Sequence, residues 1–252
     1  MRTVLISGAN RGLGLATAKL LGRQGFRVWL GSRSDVAGAT ATSELRREGS
    51  NVTAVQLDVT DENSVVAAAR HITAETGLDI LINNAAIMDE GYAPVGPASP
   101  AGHASIEAMR RTYEVNVLGA VRLTQAMLPC LLRSEHAAIV YVSSRLGSFA
   151  HQTDPNWPGR AVNKLAYASS KAALNMIAVM FSYQLRHTGI RVNAVSPGII
   201  ATDLNGEGAA NLHGRSGFAP PEEGAKLVVE CALIPKDGPN GQFFGPGGTL
   251  GW

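Results

Sequence analysis

Cysteine, charge and long apolar runs are all scarce in this chain. Only two cysteines occur among 252 residues. Cys130 and Cys231 lie in apolar segments, and neither has a second Cys or a His at metal-ligand spacing. They read as small buried hydrophobes in a reducing compartment, which excludes a disulfide framework. His103, His136, His187 and His213 share no spacing suited to a metal, so no metal is expected. Charged residues are 17% of the chain, the net charge is +2, and no basic cluster is longer than Arg110-Arg111. That leaves no electrostatic footprint for nucleic acid. No uninterrupted apolar run approaches the roughly 20 residues of a membrane span. The chain starts a strand at once, Thr3-Val4-Leu5-Ile6, without signal-peptide architecture. The expectation is a cytoplasmic protein with neither nucleic acid nor membrane as partner.

What is present is apolar side chains and glycine. Hydrophobic residues are 45% of the chain, a balance opposite to that of a disordered segment. Glycine numbers 28 of 252, about 11% against a usual 7% or so, with no Gly-X-Y period. The excess therefore belongs in turns or at backbone that faces a ligand.

Strand and helix patterns alternate. Val4–Ile6, Arg27–Leu30, Val52–Leu57, Leu78–Ile82, Ala138–Val142 and Ile190–Val195 read as strands. Helices are predicted from Leu13 to Leu21, over Thr40–Glu48, from Thr60 to Glu75, around Ile106–Leu132 and around Tyr167–His187. Apolar strands alternating with helices predict a mostly parallel sheet covered on both faces. The fold class is α/β: one doubly wound, Rossmann-type domain spanning 1–252. Three irregular stretches, Glu90–His103, Gly147–Asn163 and Ile199–Pro221, follow strands 4, 5 and 6. The ligand crevice of such a sheet lies at those strand ends, so these are the expected substrate loops. Gly206–Gly217 reads as a mobile lid.

Ser7-Gly8-Ala9-Asn10-Arg11-Gly12-Leu13-Gly14 sits between the first strand and the first helix. Such glycines let the backbone turn tightly against a pyrophosphate, and the helix N-terminus offers free N–H groups. The spacing is G-x-x-x-G-x-G rather than G-x-G-x-x-G. The second strand ends Leu30-Gly31-Ser32-Arg33, where a free ribose 2′-OH usually meets Asp or Glu. No acid is present. Arg33, with Arg11 as a second cation, points to a 2′-phosphate and hence NADP(H).

Tyr167 and Lys171 are four apart on a helix and share a face. A phenol titrates near 10, and a neighbouring ammonium is expected to lower that value toward neutrality. The phenol then serves as general acid to a forming alkoxide. Ser143-Ser144, after the fifth strand, can hydrogen-bond a carbonyl oxygen; alone, the pair is equally well a helix cap or a turn.

Taken together, Ser7-Gly8-x-x-x-Gly12-x-Gly14, Asn83-Asn84-Ala85, Asn116, Ser144, Tyr167-x-x-x-Lys171 and Ser196-Pro197-Gly198 resemble the short-chain dehydrogenase/reductase family over nearly the whole chain. The resemblance implies a catalytic tetrad of Asn116, Ser144, Tyr167 and Lys171. Ser144 is the match because it stands three before Gly147. Tyr167 would donate the proton, Ser144 would hold the substrate oxygen, and Lys171 would bind the nicotinamide ribose and tune Tyr167. Asn116 would position a water in the proton relay. The same resemblance assigns Gly8, Asn10, Arg11, Gly12, Leu13 and Gly14 to the phosphates and Ser32 and Arg33 to the adenosine ribose. It gives Asp58 and Val59 to adenine, Asn83 and Ala85 to the turn beside the adenosine part, and Pro197, Gly198 and Thr202 to the nicotinamide carboxamide. Ala86 departs from the glycine the family usually carries after Asn-Asn-Ala.

The segments 221–225 and 233–244 look like those of the monomeric carbonyl reductases, as do Arg11 and Arg33. So do the 22 residues between Ser144 and Tyr167, more than most of the family carries. That likeness implies an NADPH-dependent reductase of ketones or aldehydes. The alternatives are an NADP-binding regulator without turnover, and an epimerase or enoyl reductase on the same fold. His151 reads as a surface residue able to touch substrate. Phe149, Trp157, Leu204 and Phe218 are equally pocket wall or plain packing. Phe243-Phe244 and Trp252 are expected to seal the core edge. The excursion 147–163, draped over the neighbouring helix, would block pairing, so a monomer is expected.

Overall fold

The computed structural model describes residues 1–89, 105–205, 209–212 and 214–252. The expected loop Glu90–His103, and with it His103, lies outside the described residues, as do 206–208 and His213 of the expected lid.

The elements run β1 (Thr3–Ile6), α1 (Gly12–Arg23), β2 (Arg27–Ser32), α2 (Asp35–Arg47), β3 (Val52–Gln56), α3 (Glu62–Glu75) and β4 (Ile80–Asn83). Then come α4 (Ile106–Tyr113), a π-helical stretch (Glu114–Gly119), α5 (Ala120–Leu131), β5 (Ala138–Val142), α6 (Phe149–Thr153) and α7 (Leu165–Gln184). The chain closes with β6 (Arg191–Val195), α8 (Ala209–Leu212), α9 (Pro221–Ala232), β7 (Phe243–Gly245) and β8 (Gly248–Thr249). The strand order is β3-β2-β1-β4-β5-β6-β7-β8, with β8 antiparallel to β7 and every other pairing parallel. The order reverses between β1 and β4, which places a crevice above their carboxyl ends.

The strands alternate between two cores. Leu5 and Trp29 pack with Ile72 of α3, Leu123 and Met127 of α5, and Leu174 of α7. Val4, Ile6, Val28 and Leu30 pack on the opposite face with Leu21 of α1, Leu45 of α2, and Val228 and Val229 of α9. Neighbouring strand residues face opposite sides, so a sheet covered on both sides needs apolar residues at every position.

Caps set the helix starts. Ser34 accepts from Ala37 N at 3.3 Å, so α2 starts at Asp35, five residues before the expected Thr40. Asp61 accepts from Asn63 N at 2.9 Å and starts α3. The expected continuous helix 106–132 is broken by the π-helical stretch, and β7 and β8 were not expected. Of the residues expected to seal the core edge, Phe243 is fully buried and stacks on Trp252 at 5.4 Å in one core, while Phe244 packs against the other.

The expected loops are partly regular. Residues 147–163 hold α6 and a 3-10 turn (Pro158–Ala161). Ala150 N donates to Trp252 O at 2.8 Å, and Ser148 Oγ donates to Gly251 O at 2.7 Å. The excursion thus packs on 251–252 and, through Gly147, on α7, where Met176, Met180 and Tyr183 remain 59%, 47% and 61% exposed. The stretch 199–221 is pinned at its base, with Ala201 N donating to Ala219 O at 2.9 Å and Ala219 N to Ile199 O at 2.8 Å.

Candidate active site

The β1–α1 turn owes its shape to its glycines. Gly8 and Gly12 have φ of +63° and +56°, a region that side chains strain to enter. Gly14 is constrained by space: a Cβ there would lie 2.6 Å from Asn84 Nδ2 and 2.7 Å from Gly8 O. Two residues that sequence reasoning left without a role hold the turn. Asn84 Nδ2 donates to Ser7 O at 2.9 Å and Gly8 O at 3.1 Å, while Ser7 Oγ accepts from Asn84 N and Ala85 N, each at 3.0 Å. Arg11, at the α1 N-cap, gives no side-chain cap, and the first turn carries no acid. Uncapped N–H groups beside a glycine cradle fit a pyrophosphate. Asn10 and Leu13 lie half-buried in the same turn.

Arg11, the second cation expected from sequence, is ion-paired in this structure. Its Nη1 pairs with Asp203 Oδ2 at 2.6 Å, a contact between residues 192 apart in the chain. Thr202 reaches the same place: a Cβ on Gly12 would lie 3.3 Å from its Cγ2. Ser32 is buried, and its hydroxyl donates to Ser34 O at 2.8 Å, inside the turn that starts α2. Arg33 is exposed and borders a cavity of about 450 Å³ with Asp58, Asp61, Ser64 and His71. Asp58 Oδ1 accepts from Thr60 N at 2.9 Å and Thr60 Oγ1 at 2.7 Å. Val59 is buried beside Gly119, and its carbonyl accepts from Arg122 Nη1 at 2.6 Å. Asn83 turns inward, donating to Thr124 Oγ1 at 3.1 Å. Ala85 and Ala86 are half-buried at the end of β4.

Beyond the end of β5 three of the four expected tetrad residues, Ser144, Tyr167 and Lys171, come together. Tyr167 is 6% and Lys171 2% exposed, one helical turn apart on α7. The phenol of Tyr167 is hydrogen-bonded with Ser144. Ser144 Oγ also accepts from Leu146 N at 3.2 Å, capping a 3-10 turn (Arg145–Gly147). Both the cap and the carbonyl-binding readings of Ser144 are therefore compatible. Ser196 Oγ accepts from Arg145 N at 3.2 Å and brings Pro197 and Gly198 beside the serine turn. Asn116 lies in the π-helical stretch, a distortion that recurs at functional sites. Its Oδ1 accepts from Ile87 N at 2.8 Å, and its Nδ2 donates to Ile87 O and Ser170 Oγ, both at 3.0 Å.

The electrostatics reverse one expectation. Burial pushes the Tyr167 phenol up to about 12, with the Ser144 hydrogen bond pulling the other way. Burial also pushes Lys171 down to about 7. Lys171 Nζ donates to Val142 O at 2.8 Å and lies 5.5 Å from the Tyr167 ring centroid. Burial thus sets the direction of the Tyr167 shift, opposite to the lowering expected from a neighbouring ammonium.

Around this cluster, His151 shares a 2.9 Å hydrogen bond with Ser148 Oγ and meets Trp157 edge-on at 5.2 Å. Burial is the first cause of its lowered pKa, followed by the nearby Arg145. Phe149 is 70% exposed, while Trp157, Leu204 and Phe218 are half-buried. Among the described residues no three His, Cys, Asp or Glu side chains gather to hold a metal, and no helix is long and apolar enough to cross a membrane.

A doubly wound parallel sheet with a glycine cradle at β1 and a Ser–Tyr–Lys cluster beyond β5 defines a dinucleotide-dependent oxidoreductase. The chain belongs to the short chain dehydrogenase family, whose model matches residues 2–212. It is 33% identical to the short-chain dehydrogenase/reductase tropE of Talaromyces stipitatus, covering 93% of this chain and 91% of that one. It is 30% identical to (+)-neomenthol dehydrogenase of Arabidopsis thaliana, covering 96% and 95%. Among solved structures, the NADPH-bound carbonyl reductase from chicken fatty liver superposes with a TM-score of 0.80 at 28% identity, over 100% of this chain and 99% of that one.

Proposed function

We propose that this protein is an NADP(H)-dependent carbonyl reductase acting on ketones or aldehydes. The observation that carries this reading is the hydrogen-bonded Ser144–Tyr167 pair with Lys171 one turn on, beside an uncapped glycine cradle. Bound nicotinamide dinucleotide supplies the hydride exchanged with the carbonyl carbon. Tyr167, protonated at neutral pH, gives its proton to the carbonyl oxygen, and Ser144 donates a hydrogen bond to that oxygen. Lys171 and the glycine turn would hold the cofactor, with Asp58, Val59, Asn83 and Ala85 around adenosine and Pro197, Gly198 and Thr202 around the carboxamide. Asn116, its side chain fixed by Ile87 and Ser170, would position a water in the proton relay. Arg33 would meet the 2′-phosphate; the absence of an acid after β2 supports NADP(H) over NAD(H).

The stretches 147–163 and 199–221 would select the substrate, with 90–103 as the third wall. The buried thiols Cys130 and Cys231 are unpaired, which fits a cytoplasmic location. The proposed state is a monomer, in which Met176, Met180 and Tyr183 stay exposed on α7. Screening NADPH oxidation against a panel of ketones, aldehydes and quinones tests the reading. Turnover of at least one class supports it, and none with any class contradicts it.

A further inference from the structure

Asn175 is a buried amide on α7 to which the proposed reaction gives no task. It is 4% exposed and follows Lys171 by one helical turn. So buried a polar side chain needs partners, and both ends of this one find them on the same short segment. Its Oδ1 accepts from Ser143 Oγ at 2.5 Å, and its Nδ2 donates to Gly147 O at 3.1 Å. Ser143 and Gly147 flank the turn that carries Ser144. The turn lies hard against the helix: a Cβ on Gly147 would sit 2.5 Å from Ala172 N.

We propose that Asn175 is the positioning residue of Ser144, its amide fixing both ends of the 143–147 turn to the helix that carries Tyr167. The proposal rests on the assignment of Ser144 and Tyr167 to the substrate oxygen. The two hydroxyls must stay within a few tenths of an ångström of one geometry to act on one atom. Tyr167 is fixed by α7, whereas Ser144 caps a three-residue turn whose strongest side-chain hydrogen bonds to that helix, outside the Ser144–Tyr167 pair itself, are the two that Asn175 makes. Asn175 joins the two with one acceptor and one donor on a single planar head. The fallback is poor. Without the amide, Ser143 Oγ keeps only a 3.4 Å contact with Lys171 O, and the Gly147 carbonyl loses its side-chain donor. An aspartate at 175 would keep the Ser143 bond but set an acceptor against the Gly147 carbonyl, so it should displace the turn rather than restore it.

The test is a double-mutant cycle on kcat and KM, with NADPH affinity and Tm measured alongside. Asn175→Ala should lower kcat about 10- to 100-fold, the range for a group misplaced by about an ångström. KM and NADPH affinity should stay within about twofold. In a Ser144→Ala background the same substitution should cost less than about twofold more, because the group it positions is gone. Asn175→Asp should be no milder than Asn175→Ala. If Asn175→Ala does not fold, Ser143→Ala removes one of the two bonds and enters the same cycle, with a smaller loss that again vanishes without Ser144. An equal loss in both backgrounds overturns the proposal, since a merely structural amide would act regardless of Ser144. Near wild-type turnover of Ser144→Ala overturns the underlying assignment instead, and is read from the single variant alone.

Discussion

Lys171 Nζ stands 5.5 Å from the ring centroid of Tyr167 and gives a hydrogen bond to the Val142 carbonyl at 2.8 Å. The phenol beside it, pushed up to about 12 by burial, is protonated across the neutral range. A reductive step needs that proton in place, while oxidation of an alcohol needs it gone. Loss of the Tyr167 proton should therefore not limit carbonyl reduction from roughly pH 6 to 8, and alcohol oxidation should rise with pH. Initial rates in both directions at saturating cofactor check this. A reduction rate that falls steadily over that range would contradict it.

The same burial makes Lys171 a charge that the fold tolerates poorly. With its pKa down at about 7 from 10.5, the unfolded chain binds more protons between those values. Stability should then rise as pH goes from about 7 to about 10.5. Lys171→Met should abolish turnover yet raise Tm at neutral pH by about 2–6 °C, a gap that closes toward pH 10. Thermal melts of both proteins at the two pH values decide the point; a lower Tm for the variant at neutral pH speaks against it.

Cofactor choice should depend on Arg33 more than on Arg11. Arg33 is exposed at the end of β2, whereas Arg11 is paired with Asp203. Arg33→Ala should weaken NADPH by about 1–3 kcal/mol, the range for a lost charge-assisted bond, and affect NADH far less. Arg11→Ala should have the smaller effect. Fluorescence titrations with both cofactors measure this, and equal losses for NADPH and NADH in Arg33→Ala would refute the 2′-phosphate role.

A monomer should show a mass near 26.4 kDa by light scattering at micromolar concentration. A stable species near two or four times that mass would overturn the monomer.

Much of this was legible in the sequence because the relevant signals are local. Apolar runs such as Val4-Leu5-Ile6 are what a sheet covered on both faces demands, and Tyr167 and Lys171 share a face simply by spacing. What stayed hidden depends on distant contacts or on burial. Arg11 meets Asp203 across 192 residues, and Asn84 grips a turn 76 residues away. The π-helical stretch at Asn116 leaves little mark on an apolar period, and β7 is only three residues long. The direction of the Tyr167 shift could not be read from a Y-x-x-x-K spacing, because desolvation is a property of the packed site. Ser34 is the counterexample: a serine just before Asp35 is a cap signal that places the start of α2.

The most direct test of the account is Tyr167→Phe, measured as NADPH consumption with an active carbonyl substrate. The fold should survive, since only one hydroxyl is removed, and NADPH should bind with nearly unchanged affinity. Turnover should fall by roughly two to four decades, the contribution of a positioned general acid. Turnover near wild type in that variant would remove Tyr167 from the mechanism and contradict the central claim.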